Sequence, residues 1–149
     1  MAASSSSFYE VVERLAQSPP ATSSAVEKAL SVKLVTLEDE PDSKSYEAKD
    51  QNIGGVKVKL VDYRESGKKG PGRDGSLLIL WLDGDCVSKK SVMENYQNLQ
   101  ITSRPTGRSL DESTAYTKRE RWGELSFTFS ERNPDCLLTV VFAHNPINR

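Results

Sequence analysis

The sequence has very little histidine or cysteine, with His144, Cys86 and Cys136 as the only examples. Structural zinc sites take four ligands from Cys and His at short spacings, and this widely spaced set does not provide them. A nucleophile that depends on histidine has only His144 as its base. Because His144 lies close to the C-terminus, we favour a surface histidine, although a dyad with either cysteine stays open. We therefore predict no metal site, no cofactor and no catalytic residues.

Long hydrophobic runs and an excess of one charge are also missing. The longest apolar run, residues 77–82, is far shorter than the roughly 20 residues of a membrane-spanning helix. The 20 basic and 21 acidic residues are mixed along the chain and give a net charge of −1. Nucleic acids and anionic membranes are bound by concentrated basic faces. We therefore expect no membrane span and no nucleic-acid partner.

The N-terminal segment, residues 1–7, lacks the basic start and the apolar stretch of a signal peptide. Two explanations remain open. The protein is cytoplasmic, or it is a periplasmic or secreted protein whose signal peptide was removed and replaced by a starting Met. In either case the Ser-rich residues 1–6 are predicted to be a flexible leader.

Helical periodicity and capping residues predict three helices, over residues 8–17, 24–30 and 87–97. The first two begin with apparent capping boxes, in which a Ser and a Glu three residues later satisfy amides of the first turn. These pairs are Ser7 with Glu10 and Ser24 with Glu27. Ser88 fits as the N-cap of the third helix.

Apolar and β-branched segments predict the strands, some with the alternating pattern of a half-buried strand and others apolar on both faces. They cover residues 32–37, 56–61, 77–82, 99–103, 114–121, 124–130 and 137–143, with a weaker segment at 46–49. Residues 77–82 are apolar on both faces and are predicted to lie centrally. This order lacks the regular alternation of strand and helix in a parallel sheet. We predict a single α+β domain over residues 1–149, with a mostly antiparallel sheet of about six to seven strands. Two N-terminal helices and one inserted helix pack on that sheet.

Residues 70–75 match the Gly-x-Gly-x-x-Gly spacing of nucleotide-binding loops. In a dinucleotide fold that loop leads from a strand into a helix, whose N-terminus faces the phosphates. Here the motif precedes the predicted strand 77–82. Gly and Pro also punctuate ordinary turns, so we interpret the motif as the tip of a hairpin.

The two cysteines are each predicted at the edge of an element, before the third helix and before the last strand. Three interpretations are open: a structural disulfide, two unreactive thiols, or one reactive cysteine. A disulfide between Cys86 and Cys136 would stabilise the fold by about 4 kcal/mol in the chain-entropy model. It would also indicate an oxidising compartment. The pair is therefore a disulfide candidate.

The leading functional prediction is a non-catalytic module that binds another protein through charged loops. Its most specific form is an inhibitor or immunity protein that neutralises a cognate bacterial toxin or cell-wall hydrolase. The organisation is similar to that of small bacterial envelope proteins. The candidate contact residues are Arg64, Lys68, Lys69, Arg73, Arg104, Arg108, Arg119, Arg121 and Trp122. The main alternative is a small enzyme or ligand-binding domain with a pocket between sheet and helices, and a third option is a structural component of a larger complex.

Overall fold

The computed structural model describes residues 5–66, 75–82 and 84–144 of the chain. The helices in these ranges are α1 (Ser5–Gln17), α2 (Ser23–Leu30) and α3 (Lys89–Asn95). The strands are β1 (Val35–Glu40), β2 (Ser43–Ile53), β3 (Val56–Ser66), β4 (Ser76–Leu82), β5 (Gln100–Ser103), β6 (Ser113–Glu120), β7 (Gly123–Ser130) and β8 (Thr139–His144). Two helices at the N-terminal side and one inserted between strands match the predicted element order.

The strands form one sheet in the order β1-β2-β3-β4-β8-β7-β6-β5, and every neighbouring pair is antiparallel. The predicted α+β class and antiparallel sheet are confirmed. The predicted number of about six to seven strands is wrong, because the sheet has 8. The weak segment 46–49 belongs to the 11-residue strand β2, which pairs with β3 from end to end. Since β2 lies beside an edge strand, few of its side chains are buried, and its sequence lacks a clear apolar pattern.

The three helices leave one face of the sheet uncovered. Along β4, Leu78 and Leu80 are at most 2% exposed, whereas Leu77, Ile79 and Trp81 are only half-buried. Successive side chains of a strand point to opposite faces, so the first set faces the helices. The second set lies on what we call the open face. The predicted central position of this strand is confirmed.

Helix α1 approaches the sheet closely at the turn between β2 and β3. Gly54 in that turn has φ of +58°, and a Cβ on it would lie 2.6 Å from Phe8 Cα. The hydroxyl of Tyr9 lies 2.7 Å from Ser91 Oγ and joins α1 to α3. Glycine at position 54 is therefore needed both for the turn and for the packing of α1.

Two of the three predicted helix starts are wrong. Helix α1 begins at Ser5, which places Ser7 inside the helix rather than at its N-cap. The N-cap of α2 is Thr22, whose Oγ1 accepts a hydrogen bond from Ala25 N at 3.1 Å. The predicted N-cap Ser24 thus lies within α2. Several Ser and Thr residues precede each helix, and local spacing alone does not select among them. Ser88 is the N-cap of α3, as predicted.

The Gly-x-Gly-x-x-Gly motif leads into a strand. Residues 70–74 lie outside the described ranges, and the chain continues from Gly75 into β4. The neighbours β3 and β4 pair antiparallel, so this connection is a hairpin rather than the entry to a helix. None of the helices in the described ranges is long and apolar enough to cross a lipid bilayer.

Candidate protein-binding surface

The connection between β5 and β6, residues 104–112, is an exposed loop organised around one carboxylate; we call it the 104–112 loop. Glu112 Oε2 accepts hydrogen bonds from Thr106 Oγ1 at 2.7 Å and Thr106 N at 3.1 Å. Its Oε1 accepts from Arg108 N at 2.9 Å and Ser109 N at 3.2 Å. A single side chain therefore fixes the backbone at three positions of the loop.

These hydrogen bonds stabilise the ionised form of the Glu112 carboxyl group. They lower its pKa to about 2, with the bond from the Thr106 hydroxyl as the largest cause, followed by the amides of Thr106 and Arg108. Partial burial of the carboxyl group raises its pKa, but by less than any of these three hydrogen bonds lowers it. A carboxylate that accepts several hydrogen bonds is ionised at any physiological pH. The loop therefore keeps its central acceptor at neutral and mildly acidic pH.

The 104–112 loop is also attached to the connection between β7 and β8. Arg132 N donates to Leu110 O at 3.0 Å, and Glu131 N donates to Glu112 O at 2.9 Å. The guanidinium of Arg132 donates from Nη2 to Asp111 Oδ1 at 3.0 Å. Contacts to a second segment limit the motion of the loop as a whole. Its exposed side chains are therefore attached to backbone of fixed conformation.

The side chains that the loop presents to solvent include one leucine and two arginines. Leu110 is 55% exposed, and Arg104 and Arg108 are also exposed. Neither arginine forms an ion pair with any residue in the described part of the chain. Arginine is enriched among the residues that dominate interface energetics. The loop therefore combines an apolar contact and two available guanidinium groups on a fixed backbone.

Arg64 and Arg119 lie on the open face of the sheet and are both paired. Arg64 Nη2 lies 3.0 Å from Asp62 Oδ2, and this hydrogen bond raises the pKa of the guanidinium. Arg119 Nε lies 3.6 Å from Glu124 Oε2. The register places the two arginines in one row, four strands apart, a distance of about 19 Å. They do not form a single basic site.

Trp122 lies in the turn between β6 and β7 and folds back over the sheet. Its ring centroid is 6.4 Å from those of Phe142 and His144, and it stacks on the imidazole with an interplanar angle of 13°. Its side chain is half-buried, whereas the neighbouring Arg121 is exposed. Trp122 is therefore held by intramolecular contacts on one side.

The predicted contact residues lie at two ends of the sheet. Strand β6 separates the 104–112 loop from the turn at Arg121 and Trp122, a length of about 26 Å for its eight residues. The strand ends that flank the β3–β4 connection lie at the same end as that turn. Lys68, Lys69 and Arg73 of this connection lie outside the described residues. Among the described residues, Arg104 and Arg108 are thus separated from the other candidates.

Cys86 and Cys136 form a disulfide, with their Cα atoms 5.1 Å apart. This agrees with the first of the three interpretations of the cysteine pair. Backbone hydrogen bonds flank the bridge, from Lys89 N to Asp135 O and from Leu137 N to Val87 O, both at 2.8 Å. The disulfide therefore ties the start of α3 to the β7–β8 connection, which in turn holds the 104–112 loop.

Sequence reasoning missed the two residues that define the loop, Leu110 and Glu112. Leu110 belongs to no periodic pattern, and the role of Glu112 depends on a folded loop whose amides converge. The signal that was present is the turn-forming composition around Gly107, whose φ is +85°. Among the described residues, no group of three or more His, Cys, Asp and Glu side chains is placed to hold a metal ion.

Two cavities are lined by residues in the described ranges. One of about 290 Å³ lies beside the disulfide, with Lys59 and Asp85 as its charged lining residues, and one of about 330 Å³ lies between the end of α1 and α2. Comparison of the chain with models of known protein families, with characterised proteins and with solved structures found no match.

Proposed function

We propose that this chain is a non-catalytic protein-binding module, and that its most specific form is an inhibitor or immunity protein that neutralises a toxin or cell-wall hydrolase. One observation carries the proposal: the exposed 104–112 loop is held in place by the four hydrogen bonds of Glu112. We assign the contact to Leu110, Arg104 and Arg108.

The 104–112 loop is ordered before a partner binds, so less conformational entropy is lost on binding. A mobile loop loses conformational entropy when a partner immobilises it, and this loss weakens the affinity. In the 104–112 loop that cost is already met in the free protein by Glu112 and by the contacts of Arg132. Inhibitors of hydrolases commonly bind through backbone that changes little on association. The loop has the properties that such a mode of binding requires.

The packing of the sheet favours this proposal over an enzyme with a pocket between the sheet and the helices. The helix-facing side is filled by apolar side chains that are at most 2% exposed, including Leu80, Leu125, Phe127, Val140 and Phe142. The two cavities described above, which are lined by described residues, lie at the disulfide and at the ends of α1 and α2. A pocket with convergent polar groups is the usual feature of a small-molecule site.

The disulfide supports a location for the proposed function. Disulfides persist in the periplasm and outside the cell, and are rare in the reducing cytosol. With Cys86 and Cys136 bridged, we propose that the protein acts in the periplasm or as a secreted protein. Toxins and cell-wall hydrolases are targets for an inhibitor in those compartments.

The test compares partner binding by the wild type and by loop variants. Immobilised protein is incubated with proteins of its native compartment, and the partner is identified, purified and assayed for inhibition. Exchanging Arg108→Glu together with Leu110→Asp should weaken binding by about 30-fold or more, the effect of losing one strong contact residue. Lys49→Glu is the control, because its side chain is 72% exposed and lies outside the loop.

Two results would contradict the proposal. If the loop variant binds the purified partner as tightly as the wild type, the 104–112 loop is not the contact surface. If the wild type retains no partner, or its partner is a small-molecule substrate that it converts, the protein-binding function is wrong.

A further inference from the structure

Strand β1 forms one edge of the sheet and is exposed along its whole length. It pairs only with β2 among the described residues, and all six of its side chains are exposed. Val35 is 61% exposed and Leu37 is 58% exposed, the highest values among the large hydrophobic residues in the described ranges. An edge strand also carries backbone amides and carbonyls that face outward without a strand partner. Apolar side chains and unpaired backbone are thus available together.

Strand β5, at the opposite edge of the sheet, is shorter than β1. Strand β5 has four residues and is followed within two positions by Pro105, which cannot donate a hydrogen bond to another strand. Short edge strands and nearby prolines are devices that prevent pairing with other chains. Strand β1 is also followed by a proline, Pro41, but it has six residues, so it is the edge with more room for an added strand.

The second half of β1 is acidic. Glu38, Asp39 and Glu40 follow one another, and Lys44 is the one cation paired with them in the described part of the chain, 3.7 Å from Asp39. Carboxylates on an edge disfavour pairing with a neutral strand, which would desolvate them, and they repel acidic strands. They attract a strand of opposite charge. The same residues that prevent indiscriminate pairing therefore specify the charge of a partner.

We propose that β1 binds an extended segment of another protein by strand addition. The segment carries Lys or Arg opposite Glu38–Glu40 and apolar residues opposite Val35–Leu37. Main-chain hydrogen bonds supply affinity in this mode of recognition, and alternate side chains supply specificity. The bulge in the pairing of β1 with β2, between Thr36 and Glu38, separates the apolar half from the acidic half.

A second copy of the chain is a poor occupant of this edge. Antiparallel pairing of β1 with itself over all six residues places Val35 opposite Glu40 and Leu37 opposite Glu38, so carboxylates face apolar side chains. Parallel pairing in register places like charges opposite each other, which is destabilising. A basic and apolar segment satisfies both halves of β1, and charge complementarity therefore favours it.

This surface is independent of the 104–112 loop. Strands β1 and β5 are at the two ends of the eight-stranded order, about 34 Å apart at the usual spacing of strands. The strand-addition site therefore goes beyond the proposed contact through the loop, and each is tested separately.

The probe is the fluorescein-labelled peptide acetyl-Lys-Lys-Lys-Val-Thr-Ile-amide, which complements β1 in the antiparallel direction; binding is measured by fluorescence anisotropy at low salt. The control peptide has Glu in place of each Lys. We expect the Lys peptide to bind at least tenfold more tightly than the Glu peptide. The variant Glu38→Lys/Glu40→Lys should reverse that preference. Both substitutions are on exposed side chains, so the fold is retained.

A third peptide, with N-methyl groups on alternate amides, separates strand addition from charge attraction. Methylation removes the main-chain donors and should weaken binding at least tenfold. The proposal is overturned if no peptide binds, or if the N-methylated peptide binds as tightly as its parent. Self-association of the wild type that Leu37→Lys abolishes would assign the edge to a second copy. The variant Arg108→Glu/Leu110→Asp should bind the peptide normally, so failure of the loop proposal leaves this result unchanged.

Discussion

The hydroxyl of Tyr96 donates a hydrogen bond to Glu13 Oε2 at 3.1 Å, although the two residues are 83 positions apart in the sequence. Tyr96 is the C-cap of α3, and its ring centroid lies 4.8 Å from that of Phe127 on β7. It is 7% exposed. One side chain therefore packs on the sheet and joins α3 to α1, so the positions of the two helices are coupled.

Replacing Tyr96 by Phe tests the value of that hydrogen bond. The ring remains in place, and the loss should be about 1 kcal/mol in the free energy of unfolding, the usual net contribution of one hydrogen bond. Urea unfolding measures it. Tyr46→Phe is the control, because the hydroxyl of Tyr46 makes a longer bond of 3.4 Å to Glu65 and the residue is half-buried. Equal losses in the two variants would contradict the role of the Tyr96 contact.

The buried tyrosines should make the protein unstable at alkaline pH. Burial raises the pKa of Tyr9, Tyr63 and Tyr96, and nearby Glu side chains raise each further. The folded state thus favours the neutral phenol, and this stabilisation is complete below the unfolded pKa of about 10. It is lost as the pH rises above that value toward the folded pKa values. Unfolding free energies should be constant between about pH 8 and 9.5 and fall by about pH 11. A stability that stays constant to about pH 11 would contradict the raised values.

Gly54 and Gly107 both have positive φ, so the stability of their alanine variants can be compared directly. Gly107 has φ of +85° and nothing within 4 Å of an added Cβ, so Gly107→Ala should cost only the backbone strain, about 1–2 kcal/mol. Gly54→Ala carries a similar strain and also places Cβ 2.6 Å from the backbone of Phe8. It should therefore destabilise by several kcal/mol more, since α1 must move away from the turn. Thermal unfolding of both variants checks the difference. Similar melting temperatures would mean that α1 does not pack against this turn.

Removal of the disulfide should have both a global and a local effect. The bridge spans 50 positions, and its loss should cost about 4 kcal/mol in the free energy of unfolding. The variant Cys86→Ser/Cys136→Ser also frees the β7–β8 connection that carries Arg132. Hydrogen exchange of the Glu131 and Arg132 amides, which donate to the 104–112 loop, should then become faster, relative to the amides of β4. If only the global stability changes, the disulfide does not support the 104–112 loop.

Many strands of the sheet were predicted from the pattern of apolar residues in the sequence alone. Residues 77–82 are apolar on both faces, and such a run is typical of a central strand, which β4 is. The segments 114–121 and 124–130 on either side of Trp122 were predicted as strands, and they form the paired strands β6 and β7. Ser88 was identified as an N-cap because Val87 and Val92 then occupy the hydrophobic-staple positions, and it is the N-cap of α3.

The missed features depend on contacts between distant residues. Strand β2 extends to 11 residues because β3 pairs along it, and its own polar sequence does not indicate that length. Glu112 becomes the centre of a loop only when the amides of Thr106 and Arg108 converge on it. Trp122 was predicted as a contact residue, yet its stacking on His144 depends on the pairing of β7 with β8. Local sequence carries none of this information.

The carboxylate of Glu112 should control the order of the 104–112 loop as the pH falls. Its folded pKa of about 2 is below the unfolded value of about 4.3, so ionisation stabilises the folded loop. That stabilisation is complete above the unfolded pKa and is lost as the pH falls through about 2. The amide resonances of Thr106, Arg108 and Ser109, followed by NMR, should therefore stay unchanged down to about pH 3.5 and shift together below it.

Glu112→Gln provides the control for this titration. Glutamine retains one acceptor oxygen and has no charge, so the three amides should lose their common pH dependence and exchange faster with solvent at neutral pH. Binding of the proposed partner should weaken in this variant even though Leu110 and Arg108 are still present, because the loop must be ordered on binding. Amides that titrate near pH 4 in the wild type, or a Gln variant with unchanged exchange, would show that Glu112 does not fix the loop.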